Sequence, residues 1–217
     1  MLNLFIALVS CVAIAMTACS PATEYDIIIR NGAIYDGSGR DPMIGDVAIK
    51  GDTLAAIGPL ENAIARLEID AEGLAVAPGF INMLSWANES LIEDGRSQGD
   101  IRQGVTLEVF GEGWSMGPLN EKMKAAETEQ QGDIKFDIEW TTLAEYLDYL
   151  TARGISPNVA SFVGATTVRI HEIGYEDRPP TPEELERMRS LVARAMEDGA
   201  LGVGSSLIYA PAFYART

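Results

Sequence analysis

One histidine, two cysteines and a spread of carboxylates are what this 217-residue chain offers for metal or nucleophilic chemistry. With His171 alone, no two-His or three-His zinc site can be built from this chain. Cys11 lies inside an apolar run and Cys19 just after it, so neither reads as half of a structural disulfide. The most suggestive acidic group is Glu112, in Phe110-Gly111-Glu112-Gly113-Trp114-Ser115. A carboxylate on a Gly-rich loop directly after an apolar run is a sound hard ligand for zinc or manganese. Its bland reading is a solvated loop glutamate. No residue stands out as a general base.

The elements that must position these residues alternate in type. Ala75–Met83 reads as a buried strand, Glu89–Gly104 as a partly helical connection, and Val105–Phe110 as a second buried strand. Apolar strands joined by crossovers of this length begin a βα barrel or an open parallel sheet. In such folds the chemistry sits where strands end, which directs attention to Met83–Trp86 and Gly111–Ser115. Further on, Thr142 and Glu145 form a capping box for a helix within Asp133–Gly154, and Asn158–Gly164 is a third strand. Thr181-Pro182-Glu183-Glu184 opens the clearest helix, with N-cap, Pro at the first position and a capping-box Glu. Ala200–Ile208 is a fourth strand, so the series predicts parallel pairing with right-handed crossovers. Ahead of all this, Tyr25–Leu74 reads as a small antiparallel sheet with hairpin turns at Asn31-Gly32 and Gly51-Asp52 and a turn at Asp36–Gly39.

The formal net charge is −16, with the acids spread along the chain. That excludes nucleic acid as a partner, because phosphate binding needs clustered Lys and Arg. Residues 1–18, MLNLFIALVSCVAIAMTA, read as a secretory signal peptide despite having no Lys or Arg near the start. Met16-Thr17-Ala18-Cys19 resembles a bacterial lipobox, which implies lipid attachment at Cys19, a membrane tether and an exported, periplasmic or envelope location. The alternative is cleavage after Ala22. Residues 19–24 are then a linker.

Four pieces in order carry a family resemblance: Ala77-Pro78-Gly79-Phe80-Ile81, Arg102-Gln103-Gly104-Val105-Thr106, Pro180-Thr181-Pro182-Glu183-Glu184-Leu185, and the run from Gly199 to Tyr209. With the head segment "IIRNGAIYDGSG…DVAIKGDTLAAIG", the chain resembles the amidohydrolase superfamily, D-aminoacylase (N-acyl-D-amino-acid deacylase) branch. The resemblance implies an α/β fold. Residues 25–75 would form a β-sandwich head and 76–217 the first half of a TIM-type (β/α)8 barrel. Val76 to Thr217 falls well short of the about 250 residues of a complete barrel. The expectation is therefore a truncated chain that is itself inactive, with exposed sheet edges and poor solubility.

The activity implied is hydrolysis of a carbon–nitrogen bond in an N-acyl-D-amino acid or related amide by water activated on a divalent metal, zinc being the expected one. The site is altered, however. Leu84 and Trp86 occupy the two positions where the family has x-His-x-His at the end of strand one. Glu112 falls where this branch has its metal-binding Cys, which makes it the candidate ligand. Arg169 matches an Arg that follows the third strand, and Tyr209 a tyrosine near the substrate; both are substrate-side candidates. Arg169 also reads as a loop anchor. His171 lies off the family position and reads as a loop histidine. No Lys follows Lys135, so a carbamylated lysine has no candidate, and the remaining ligands and general base would lie beyond Thr217. The rival reading is a catalytically inactive barrel that binds peptide or cell-wall fragments at the envelope.

Overall fold

The run from Ala75 to Met83, expected as one strand, is two. Strand β5 (Ala75–Val76) and strand β6 (Phe80–Asn82) are separated at Pro78-Gly79, where the chain divides into two units. Proline has no amide proton to give to a ladder. A Cβ at Gly79 would overlap the Thr106 side chain, so only glycine lets the chain pass there. The computed structural model describes residues 23–215. Cys11, Cys19 and the expected signal peptide lie outside them.

The first unit is built on strand β1 (Glu24–Ile34). It pairs antiparallel with β2 (Met43–Lys50), which pairs antiparallel with β3 (Thr53–Gly58); β4 (Ile64–Asp70) and β5 pair parallel with β1. The sheet is thus mixed, not antiparallel. The hairpin expected at Asn31-Gly32 is a register shift inside β1 instead. Asn31 takes φ 60°, its amide donates to Asp46 and its carboxamide to Asp70, so the local side-chain bonds hold a bulge where a turn was expected. Arg30 beside it bonds Asp46, Glu68 and the carbonyls of Leu60 and Ala63, tying three segments together.

The second unit contains the barrel strands. β6 pairs parallel with β7 (Val105–Phe110), and β7 with β8 (Asn158–Ser161). β9 (Val163–Gly164), one residue beyond β8, pairs parallel with β10 (Val203–Gly204). Four parallel strand segments therefore follow chain order, the arrangement of a partial barrel, and no closed barrel is seen. The fourth strand is shorter than the expected Ala200–Ile208: only Val203 and Gly204 pair, and the chain turns at residues 207–211. Gly202 at φ 155° precedes the pair, and among the described residues β10 has β9 as its single neighbour.

Helices α1 (Ser90–Glu93) and α2 (Gln98–Ile101) make the partly helical connection. Helix α3 (Glu121–Gln130) is absent from the sequence expectations: it buries only Met123 and so shows no apolar stripe, yet Asn120 caps it by accepting from the Met123 amide. Helix α4 (Leu143–Arg153) has the Thr142/Glu145 capping box as read. α5 (Ala165–Glu172) was not anticipated, and it moves His171 from a loop to a helical last turn. α6 (Pro182–Glu197) starts at Thr181 with its capping box complete.

These helices seal one side of the sheet. Trp140, Leu143, Tyr146 and Leu150 are buried with Phe110, Val163 and Leu191. Two of the buried aromatics also hold loops: Trp140 Nε1 donates to the Met116 carbonyl at 2.7 Å and the Tyr146 hydroxyl to the Asn88 carbonyl at 2.9 Å. The core therefore fixes the segments that follow β6 and β7. Burial pushes the Tyr146 phenol up, well out of its usual range, so it stays a donor.

Candidate functional site

At the end of β6 the side chains of Leu84 and Trp86 stand 54% and 59% exposed. Neither can coordinate a metal. The residue between them does something else: Ser85 Oγ donates to Glu108 Oε2 at 2.6 Å, and Ser97 Oγ to Glu108 Oε1 at 2.9 Å. Glu108 is on β7 and is 0% exposed. A buried carboxylate costs heavily unless hydrogen-bonded, and here two hydroxyls supply the bonds. Ser97 reaches it from a left-handed conformation, φ 41°. The consequence is a clamp joining the end of β6, the crossover and the second strand. Sequence reading missed it; the signal was a lone Glu inside the otherwise apolar Val105–Phe110.

The loop after β7 presents Glu112, half-buried, with no hydrogen bond or ion pair to another described residue. Its flanks are rigid. Gly111 takes φ 94° and a Cβ there would collide with the Phe162 backbone; Gly113 takes φ 78° against Ser206, just after β10. The same loop is stitched to α5: Thr166 N donates to the Gly113 carbonyl at 2.9 Å, Ser115 N to Thr167 Oγ1 at 2.8 Å, and Gly164 N to Ser115 Oγ at 2.9 Å. The ends of β7, β9 and β10 are thus held together around Glu112.

The other sequence candidates lie differently. Arg169 is 5% exposed, and its Nη2 donates to the carbonyls of Glu176 at 2.8 Å and Arg178 at 2.9 Å. Of the two roles weighed for it, the geometry gives the loop anchor: its guanidinium is directed at main chain between α5 and α6. Tyr209 is 66% exposed in the turn beyond β10, five residues past the paired strand, with no bond from its hydroxyl to a described residue. His171 Nδ1 lies 3.0 Å from Glu172 Oε1, and Arg187 Nε donates to Glu172 Oε2 at 2.6 Å. It is engaged in that pair on α5, away from Glu112 in sequence and bonding.

Among the described residues no three His, Cys, Asp or Glu side chains gather into a group that could hold a metal ion. Leu84 and Trp86 contribute no donor atoms, and Glu112 is a single carboxylate. The described residues do not by themselves make a metal centre.

No protein-family model matches the chain. The chain is 34% identical over 202 residues to D-aminoacylase of Alcaligenes xylosoxydans xylosoxydans, covering 91% of this chain and 41% of that one. It superposes on a solved D-aminoacylase, described as having a binuclear metal centre with one-metal activation and second-metal attenuation. The TM-score is 0.78 at 30% identity, over 88% of this chain and 40% of the other. N-acyl-D-glutamate deacylase from Bordetella bronchiseptica, solved with zinc and a phosphonate inhibitor, gives 0.75 at 28% identity over 89% and 40%. The chain spans about two fifths of the length of these relatives. Sequence and backbone agree over about nine tenths of the chain, and it belongs to the D-aminoacylase branch of the amidohydrolases.

Proposed function

We propose that the protein is an amidohydrolase that removes the acyl group from an N-acyl-D-amino acid or a related amide. Water adds to the amide carbonyl, the carbon–nitrogen bond breaks, and a carboxylate and a free amine leave. The observation that carries this reading is the likeness to deacylases in both sequence and strand order over nine tenths of the chain. A divalent metal, zinc, is the proposed cofactor, and it would supply the activated water. Glu112 is its candidate ligand from this chain, because it is a carboxylate on a pinned strand-end loop with no competing partner among the described residues. Tyr209 is the candidate to polarise the substrate carbonyl. Arg169 keeps the α5–α6 loop in place.

The test is metal analysis of the full-length protein beside a panel of N-acyl-D-amino acids. Stoichiometric metal with release of free amino acid supports the reading; loss of both overturns it. Glu112→Ala with unchanged metal content would remove Glu112 as a ligand. A second reading, a barrel that binds peptide or cell-wall fragments without turnover, is favoured by Leu84 and Trp86 at the end of β6. A metal-free protein that binds such fragments and releases no amine would establish it.

Export to the envelope with lipid on Cys19 is part of the same proposal. It rests on the apolar residues 1–18 and the Met16–Cys19 tetrapeptide. No helix among the described residues is long and apolar enough to cross a membrane. Mass spectrometry of the mature N-terminus would find a diacylated Cys19, or else a free residue 20 or 23 that refutes lipidation.

A further inference from the structure

Between the segments that follow β6 and β7 lies a cavity of about 260 Å³, lined by Trp86, Asn88, Glu89, Trp114, Met116 and Ile134, with Ser90 at its margin. Its walls are two indoles and two apolar side chains. Glu89 is the one charged group in it. Among the described residues Glu89 has no ion pair.

Asn88 supplies an independent sign that something is missing. Its side chain is 94% buried (6% exposed), and its Oδ1 is buried without a hydrogen-bond partner. Its backbone is fixed, because the Tyr146 hydroxyl donates to its carbonyl. A buried acceptor left unpaired costs about 1–3 kcal/mol, and such groups are normally satisfied. An acceptor, a carboxylate and two indole faces around one cavity all ask for the same complement. That complement is a positively charged nitrogen with protons to donate.

We propose that this cavity binds an ammonium or guanidinium group, held by Glu89 and Asn88 Oδ1 between Trp86 and Trp114. If the hydrolase reading above holds, on which this extension rests, the group is the side chain of a basic N-acyl amino acid. Trp86, standing where relatives of this family carry a metal-binding histidine, then serves substrate selection. Trp114 also lines a second cavity, of about 490 Å³, which contains Glu127. Burial and the charge of Glu89 push the Glu127 carboxyl up, so the two acids stand close enough to feel each other without a cation between them. The second cavity also holds Lys122 and His171, and its mixed charge makes it the poorer cation site.

The test uses the full-length protein and two probes of equal length, Nα-acetyl-D-lysine and Nα-acetyl-D-norleucine. Calorimetry and tryptophan fluorescence read binding, and amine release is measured separately. The lysine probe should bind about tenfold tighter or more, from a desolvated cation–π contact and a charge-assisted bond. Glu89→Gln, at a half-exposed position that leaves the core intact, should erase that preference, and Trp86→Leu should reduce it severalfold. Equal affinity for the two probes, or a preference that survives Glu89→Gln, overturns the proposal. Hydrolysis of both probes at equal rates would sink this site and leave the deacylase reading standing. Selective binding of the lysine probe with no amine released would do the reverse.

Discussion

β6 and β7 are adjacent parallel strands with similarly apolar sequences, and they meet opposite fates. Phe80 and Ile81 of β6 are 63% and 55% exposed, although they point to opposite faces. Val109 and Phe110 of β7 are both buried, and so is the charged Glu108 between them and Leu107. The difference is neighbours. Among the described residues β7 is paired on both sides, with β6 and β8, while β6 has one partner. Strand sequence alone therefore does not decide burial. A paired second flank and an overlying helix do, and with them even a carboxylate can be accommodated if hydroxyls meet it.

The sharpest way to break this contrast is Phe110→Ala. It should cost about 3–5 kcal/mol in a denaturant melt, as large-to-small changes in closed cores do. Next comes Glu108→Ala, which strands the hydroxyls of Ser85 and Ser97 and should cost about 1–3 kcal/mol. Combining it with Ser85→Ala and Ser97→Ala should recover part of that loss, and a triple variant as weak as the single one would show the clamp is not the cause. Ile81→Ala should change stability by about 0.5 kcal/mol or less. A loss comparable to that of Phe110→Ala would mean β6 is covered in solution. The smallest effect lies away from both strands. The Glu184 carboxyl is held down to about 2 by its hydrogen bond from Arg178, so its contribution is complete above the usual carboxylate range near 4.5 and is lost as pH falls through about 2. Glu184→Gln should flatten the pH dependence of the melt in that window and leave neutral pH unchanged.

Local signals told most of the fold in advance. The capping boxes at Thr142 and Thr181, the Gly51-Asp52 hairpin and the Val105–Phe110 strand all depend on neighbours in sequence, and all are found. What escaped depends on distant partners. Asn31 looked like a turn because its bonds to Asp46 and Asp70 cannot be seen locally. α3 has almost no buried face, and α5 follows β9 without a side-chain cap. The site was legible as positions but not as roles. Leu84, Trp86 and Glu112 were placed correctly at strand ends, whereas the Glu108 clamp and the unpaired Asn88 amide come from packing across 11 to 58 residues of sequence.

The loop that carries Glu112 has one further consequence. Gly111 and Gly113 are wedged against Phe162 and Ser206, and the loop is bonded to α5, so its backbone explores few conformations. A ligand meeting Glu112 would freeze little that is not already frozen. Its affinity would then be taxed mainly by its own lost freedom.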